Sequence, residues 1–228
     1  MKRIYLAQKL TDIFELEGDY FHYLKNVVRA KAGDLIGVLA DDEYAECTIT
    51  DMGKRNAVMS VESCRPAKRY THKLKVYQCL LKREYMDFAV EKYTELGATE
   101  IVPVISERSL NDLKDKTMQR YHDISVKAAL QSENEQLPVI HDAVGIADIQ
   151  PDMQSNLIFY ERCEERGCFN TTNEMSIVIG PEGGFTEEEY HMLKDKGFTP
   201  VRPIDNILKA ETASVVFTGY IRILQENL

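Results

Sequence analysis

Two rhythms of apolar and polar positions divide the chain. Up to about residue 65 the apolar residues come in short, strand-length runs. "DLIGVLAD" and "YAECTIT" are separated by "DDE", and "NAVMSVESC" follows the turn-like "DMGKR". Earlier, "DYFHYLKNVVRAKAGD" has helical spacing at Tyr20, Tyr23, Leu24, Val27 and Val28, with Gly33 as the expected stop. Strands this close together predict a small barrel. "SCRPAKRYTHK", Ser63 to Lys73, is polar, basic and proline-containing, and reads as a linker.

From Lys75 strand and helix patterns alternate. "LKVYQCLL" is a buried-strand run. "MDFAVEKYTELG" places Met86, Ala89, Val90, Tyr93 and Leu96 on one helical face and stops at Gly97. "EIVPVIS", "SNLIFYE", "MSIVIG" and "TPVRPI" read as strands. "KTMQRYHDISVKAALQS", "TEEEYHMLKDKG" and "ETASVVFTGYIRILQ" read as helices. This alternation predicts an α/β domain with a largely parallel sheet.

Composition narrows the class. The 228 residues fit one large domain or two modest ones, and 44% hydrophobic content is ordinary for a globular protein. No apolar run reaches the roughly 18 residues that span a bilayer. The N-terminus acquires charge too soon for a signal peptide, so a cytoplasmic protein without membrane contact is expected. Cys47, Cys64, Cys79, Cys163 and Cys168 have no paired metal-ligand spacing, and read as reduced thiols with no metal site. Net charge is −9, divided as +2 over residues 1–75 and −11 over the rest. Arg65, Lys68, Arg69, Lys73 and Lys75 form one basic cluster, and Lys25, Arg29 and Lys31 a second. Either is a candidate face for a nucleic acid.

Candidate chemistry centres on "IGPEGGFTEEEY", Ile179 to Tyr190. Thr186 and Glu189 have capping-box spacing, and Phe185 and Tyr190 staple spacing, so a helix should start at Thr186. Gly180, Gly183 and Gly184 precede it at the carboxyl edge of the expected sheet, where α/β ligands bind. The helix already carries Glu187, Glu188 and Glu189 at its positive end, and the loop holds Glu182 and no lysine. A nucleotide phosphate therefore fits poorly. A ligand without phosphate and with positive charge fits better, and S-adenosylmethionine is one. "ILKAETASVV" supplies a second loop-to-helix junction, with Glu211 and Thr212 near the helix start.

"IGPEGGFTEEE" with "ILKAETA" resembles the RsmE family of 16S ribosomal RNA (uracil-N3) methyltransferases, in the SPOUT superfamily. "EKYTELGATEIVPVISERS" and "HYLKNVVRAKAGDLIGV" are also similar to that family, and the match runs from about Tyr20 to Leu224. The resemblance implies a PUA-like β-barrel over residues 1–70 for RNA contact. It implies a SPOUT α/β domain over 71–228, tied in a deep trefoil knot, and a homodimer. It implies S-adenosylmethionine as cofactor, held by Tyr160, Glu161, Gly180, Glu182, Gly183, Gly184, Ile204, Asn206, Leu208 and Thr212. The implied reaction methylates uridine N3 in small-subunit ribosomal RNA. Lys209 is the candidate for stabilising the uracil anion, and Glu211 for handling or positioning its proton. Arg29 and Arg108, at matching family positions, and Arg69, in the first basic cluster, are the candidate RNA contacts, with Arg108 alternatively facing the other subunit. The chain departs from the family's LGxRILRxETA motif at Pro203, Ile204, Asn206 and Lys209, and carries Asn134 where an arginine is usual. These departures keep two alternatives open: a SPOUT methyltransferase for another RNA position, and a non-catalytic RNA-binding or ribosome-assembly protein.

Overall fold

The computed structural model describes residues 1–109, 116–163 and 169–228. Cys168 lies outside them. The chain divides into two compact units, Met1–Arg69 with Leu130–Glu135, and Tyr70–Ala129 with Gln136–Leu228. A single cut at residue 70 leaves out the Leu130–Glu135 segment of the first unit.

The first unit is a five-stranded sheet: β1 (Lys2–Leu6), β2 (Ile13–Leu16), β3 (Leu35–Ala40), β4 (Glu43–Met52) and β5 (Ala57–Pro66), in the order β1-β3-β4-β5-β2. Only β1 and β3 pair in parallel. Ile4, Phe14, Leu16, Phe21, Leu24, Ile36, Val38, Ile49 and Met59 fill its core. Two expectations need correction. The helix α1 (Gly18–His22) passes into a π-helical turn over Tyr23–Val28 and ends at Arg29, whose φ is 57°. Gly33 is not its stop but donates to the Ile49 carbonyl at 2.7 Å. The wider π turn shifts the helical phase, so Leu24 is buried while Val27, expected on the same face, is 70% exposed.

The linker is also shorter than Ser63–Lys73, because β5 runs on to Pro66 and the next strand begins at Lys73. Arg65, at the end of β5, pairs with Glu135 at 2.6 Å, and Glu135 also accepts from the Lys68 amide at 2.8 Å. Its carboxyl is held below the usual range, first by the Arg65 hydrogen bond and despite desolvation. The Tyr44 ring faces both Arg65 and Arg3, at 4.7 and 4.9 Å from the ring centroid. Arg3 in turn donates to the Glu133 carbonyl at 2.8 Å.

In the second unit β6 (Lys73–Cys79), α2 (Arg83–Glu95), β7 (Glu100–Ile105), α3 (Thr117–Ser132), β8 (Val139–Ile140), β9 (Val144–Gly145), β10 (Ser155–Phe159), β11 (Glu174–Ile179), α4 (Glu187–Asp195), β12 (Thr199–Val201) and α5 (Ala210–Gln225) follow in order. The sheet runs β12-β10-β11-β6-β7-β8, with β9 also on β7, and every pairing is parallel. β8 and β9 are only two residues long and carry no periodicity that a sequence would reveal. Alternate residues serve opposite faces. Leu74, Val76, Ile177 and Leu157 join Val90, Tyr93, Phe217 and Ile221 on one side. Tyr77, Cys79, Val178 and Ile158 join Leu193 and Phe198 on the other. Helices thus cover both faces, which explains the unbroken apolar runs.

Candidate active site

Because β12, β10 and β11 are parallel neighbours, the segments leaving them emerge at one edge of the sheet. Together they enclose a cleft of about 240 Å³. The segment after β10 contributes Tyr160, Glu161 and Arg162, and that after β11 contributes Gly180 to Phe185. The segment after β12 contributes Arg202, Pro203, Ile204, Asn206, Ile207 and Leu208. Apolar residues from the strand ends and α5 supply a floor: Phe159, Ile179, Val201, Ala210, Ala213 and Phe217. The Phe159 and Phe217 rings stack, 3.9 Å apart and within 6° of parallel. In the sequence these floor residues have the pattern of ordinary core.

The glycine loop is shaped by its neighbours. Thr186 accepts from the Glu189 amide at 3.2 Å, and Glu189 Oε2 accepts from the Thr186 amide at 3.0 Å, so the expected capping box forms. Glu189 Oε1 also accepts from the Glu107 amide at 2.8 Å, which ties the segment after β7 to the start of α4. Phe185 and Tyr190 belong to one apolar cluster, where Tyr190 stacks on Tyr160 at 4.3 Å. Gly184 has φ +68°, a conformation that favours glycine. Glu182 turns its carboxylate to the Lys82 amide before α2, accepting at 3.1 Å. Under the loop, buried Gln78 donates to the Cys79 carbonyl and, at 3.4 Å, to that of Gly180. Its oxygen accepts from the Tyr93 and Ser214 hydroxyls. Desolvation pushes the Tyr93 phenol far up, so it is a donor at any ordinary pH.

Of the ten residues assigned to the cofactor, nine line this cleft and Thr212 does not. Thr212 is exposed on the third residue of α5, which starts one residue earlier than its capping pattern indicated, with Lys209 as N-cap. Lys209 and Glu211 also stand outside the cleft wall. They lie 4.0 Å apart, with the lysine side chain 81% exposed and the glutamate mostly buried. Arg108, from the segment after β7, reaches the glycine loop. Its Nη1 donates to the Gly183 carbonyl at 3.2 Å and to that of Phe185 at 3.5 Å.

The two basic clusters fare differently. Lys73 pairs with Glu174 at 2.7 Å, and Lys75 with Asp152 and Glu100 at 2.5 and 3.3 Å. Arg65 pairs with Glu135 and Arg69 with Asp42. Four of its five cations are thus neutralised locally. Arg29 is exposed. Among the described residues no group of His, Cys, Asp or Glu is placed to hold a metal ion, and no helix is long and apolar enough to cross a membrane.

A family model described as an RNA methyltransferase domain matches residues 68–222, and one described as an RNA methyltransferase PUA domain matches residues 16–62. Ribosomal RNA small subunit methyltransferase E of Rickettsia conorii is 30% identical over 97% of this chain and 95% of its own length. This chain belongs to the small-subunit methyltransferase E family. The family member of Aquifex aeolicus is 31% identical over 87% of this chain and 89% of its own. The crystal structure of the Neisseria gonorrhoeae methyltransferase E, bound to S-adenosyl methionine, superimposes with a TM-score of 0.88 at 26% identity, covering 98% of both chains. The N-terminal unit is therefore the family's PUA-like part, and the parallel sheet with its cleft is the methyltransferase part.

Proposed function

We propose that this protein is an S-adenosylmethionine-dependent enzyme that methylates N3 of a uridine in 16S ribosomal RNA. The observation that carries the reading is the convergence of three backbone segments on one cleft with an apolar floor and a wall of glycines. The cleft fits the cofactor by its own chemistry. Phe159, Val201 and Phe217 offer a flat apolar surface for an aromatic ring. At Gly183 and Gly184 an added Cβ would meet Arg108 at 3.1 Å and Glu161 at 3.2 Å, so glycine keeps side-chain bulk out of this wall. Glu161 and Glu182 suit a positively charged ligand. When bound, S-adenosylmethionine supplies a methyl carbon on a sulfonium.

The chain's own residues would do the rest. Uridine N3–H is a weak acid, so its proton must leave as the N3–carbon bond forms, and the uracil oxygens gain negative charge. In this reading Lys209, whose exposed ammonium lies 4.0 Å from Glu211, would stabilise that charge, and Glu211 would orient Lys209 or take up the proton. The target base must present its Watson–Crick edge, so it is unpaired or flipped out. The same reading includes a trefoil knot at the C-terminal end, a cytoplasmic location with reduced cysteines, and a homodimer. For the dimer, α5 leaves Val216, Tyr220 and Ile223 exposed at helical spacing.

The test is methyl transfer to deproteinised 16S ribosomal RNA and to intact small subunits, with the product nucleoside mapped. N3-methyluridine at one position, together with a melting shift from S-adenosylmethionine but not ATP, is the expected result. Cofactor binding with no turnover on either substrate would replace the enzyme by a binding protein. Methylation at another atom would overturn the N3 assignment.

A further inference from the structure

We propose that an exposed ledge on the N-terminal unit, made by the π-helical turn Tyr23–Val28 and the β4–β5 turn, grips single-stranded RNA. This rests on the reading of the chain as an RNA methyltransferase and names the surface that would hold its substrate. The more conspicuous cluster at residues 65–75 is a poor platform, because four of its five cations are bound to carboxylates.

The ledge is built by Lys25. Its ammonium donates to the Gly53 carbonyl at 2.7 Å and to that of Lys54 at 3.3 Å, which fastens the β4–β5 turn beside the π turn. Four other cations are exposed there: Arg29, Lys31, Lys54 and Arg55. Among the described residues none of the four has a carboxylate within ion-pair distance. Two of the nearby carboxylates are engaged with uncharged donors: Asp34 accepts from the Lys31 amide at 2.8 Å, and Glu15 from Asn56 at 3.0 Å. On the π turn itself Tyr23 and Val27, four residues apart, are both exposed. Arg29 holds a left-handed backbone, which glycine or asparagine would adopt at less cost, so local structure does not explain an arginine there.

Unpaired cations fit phosphates, and an exposed ring with an apolar neighbour fits the face of an unstacked base. A duplex would offer no base face to Tyr23, which favours a single-stranded segment. An acidic protein surface would satisfy the cations and leave the ring without a flat partner.

The experiment uses the full chain, with deproteinised 16S ribosomal RNA and intact small subunits as probes, and measures affinity across a salt series. Three variants are compared: the triple change Arg29→Gly, Lys54→Ala and Arg55→Ala, in which glycine keeps the left-handed backbone; Tyr23→Ala; and Lys73→Ala. The triple variant should bind both probes about tenfold more weakly and lower the log–log salt slope by roughly 2, at about 0.7 to 0.9 per lost phosphate contact. Tyr23→Ala should weaken binding by about fivefold or more at unchanged slope, and Lys73→Ala should change neither. An unmoved melting shift from S-adenosylmethionine shows that the variants are folded. An unchanged slope in the triple variant overturns the proposal. So does a loss confined to intact subunits, which would assign the ledge to a ribosomal protein. A wild-type chain that neither binds nor methylates 16S RNA defeats the underlying functional reading. An active wild type with a triple variant of unaltered KM defeats the ledge alone.

Discussion

Arg108 donates from Nη1 to the Gly183 carbonyl at 3.2 Å, while a Cβ added to Gly183 would lie 3.1 Å from the Cβ of Arg108. The arginine holds the cleft's glycine loop, and the glycine is the residue that lets it come so close. Arg108→Ala should therefore weaken S-adenosylmethionine about fivefold, the equivalent of one exposed charge-assisted hydrogen bond of roughly 1 kcal/mol. Titration calorimetry checks this. If cofactor affinity holds while RNA affinity falls, Arg108 is an RNA contact instead.

Glu189 answers to two partners, the Thr186 amide and the Glu107 amide. It is buried, so its loss strands both donors. Glu189→Ala should cost about 2 kcal/mol and lower the melting temperature by roughly 5 °C. Removing the cap alone, by Thr186→Ala, should cost about half of that. Equal losses would mean that the bond to Glu107 contributes nothing.

Glu135 makes stability depend on acid. Its folded pKa lies below the ordinary carboxylate value, so its contribution is complete above the unfolded pKa of roughly 4.5 and vanishes as pH falls through the folded value. Thermal unfolding of the wild type should lose stability below about pH 4.5 more steeply than that of Glu135→Gln. Coincident acid limbs would show that the Arg65 pair is not what the pH acts on.

Lys209 separates binding from turnover. Its side chain is largely free of the protein and outside the cleft wall. Lys209→Ala should leave cofactor affinity within about twofold and reduce kcat by about a hundredfold, the scale of losing one charge-stabilising donor. A parallel loss of cofactor affinity would move Lys209 into the cofactor site.

What could be read in advance was local or periodic. The capping box of Thr186 and Glu189 spans three residues, and α2 declares its buried face through Met86, Ala89, Val90 and Tyr93. The cleft loops were legible because glycines mark close backbone approach between a strand and a helix. The remainder depended on partners far away in the chain. Arg108 meets a loop 75 residues later, Arg65 meets Glu135 70 residues later, and nothing near either residue announces the contact. Charge counting made Arg65 to Lys75 look like a basic face because the opposing Glu135, Glu174 and Asp152 come from distant segments. The inward turn of Leu24 and outward turn of Val27 followed from a π-helical widening that a 3.6-residue period does not describe.

The order in which the cleft's walls occur along the chain has a consequence for biosynthesis. Its first wall residue is Phe159 and its last is Phe217, on the final helix. A growing chain has the whole PUA-like strand set by residue 66 and its Glu135 clasp by residue 135. It can close the cleft only after nearly all of its 228 residues have been made. On the proposed reading, the unit assigned to RNA is thus translated first and the cleft assigned to methyl transfer last. A chain released before α5 would then lack Ala210, Ala213 and Phe217 from the cleft floor.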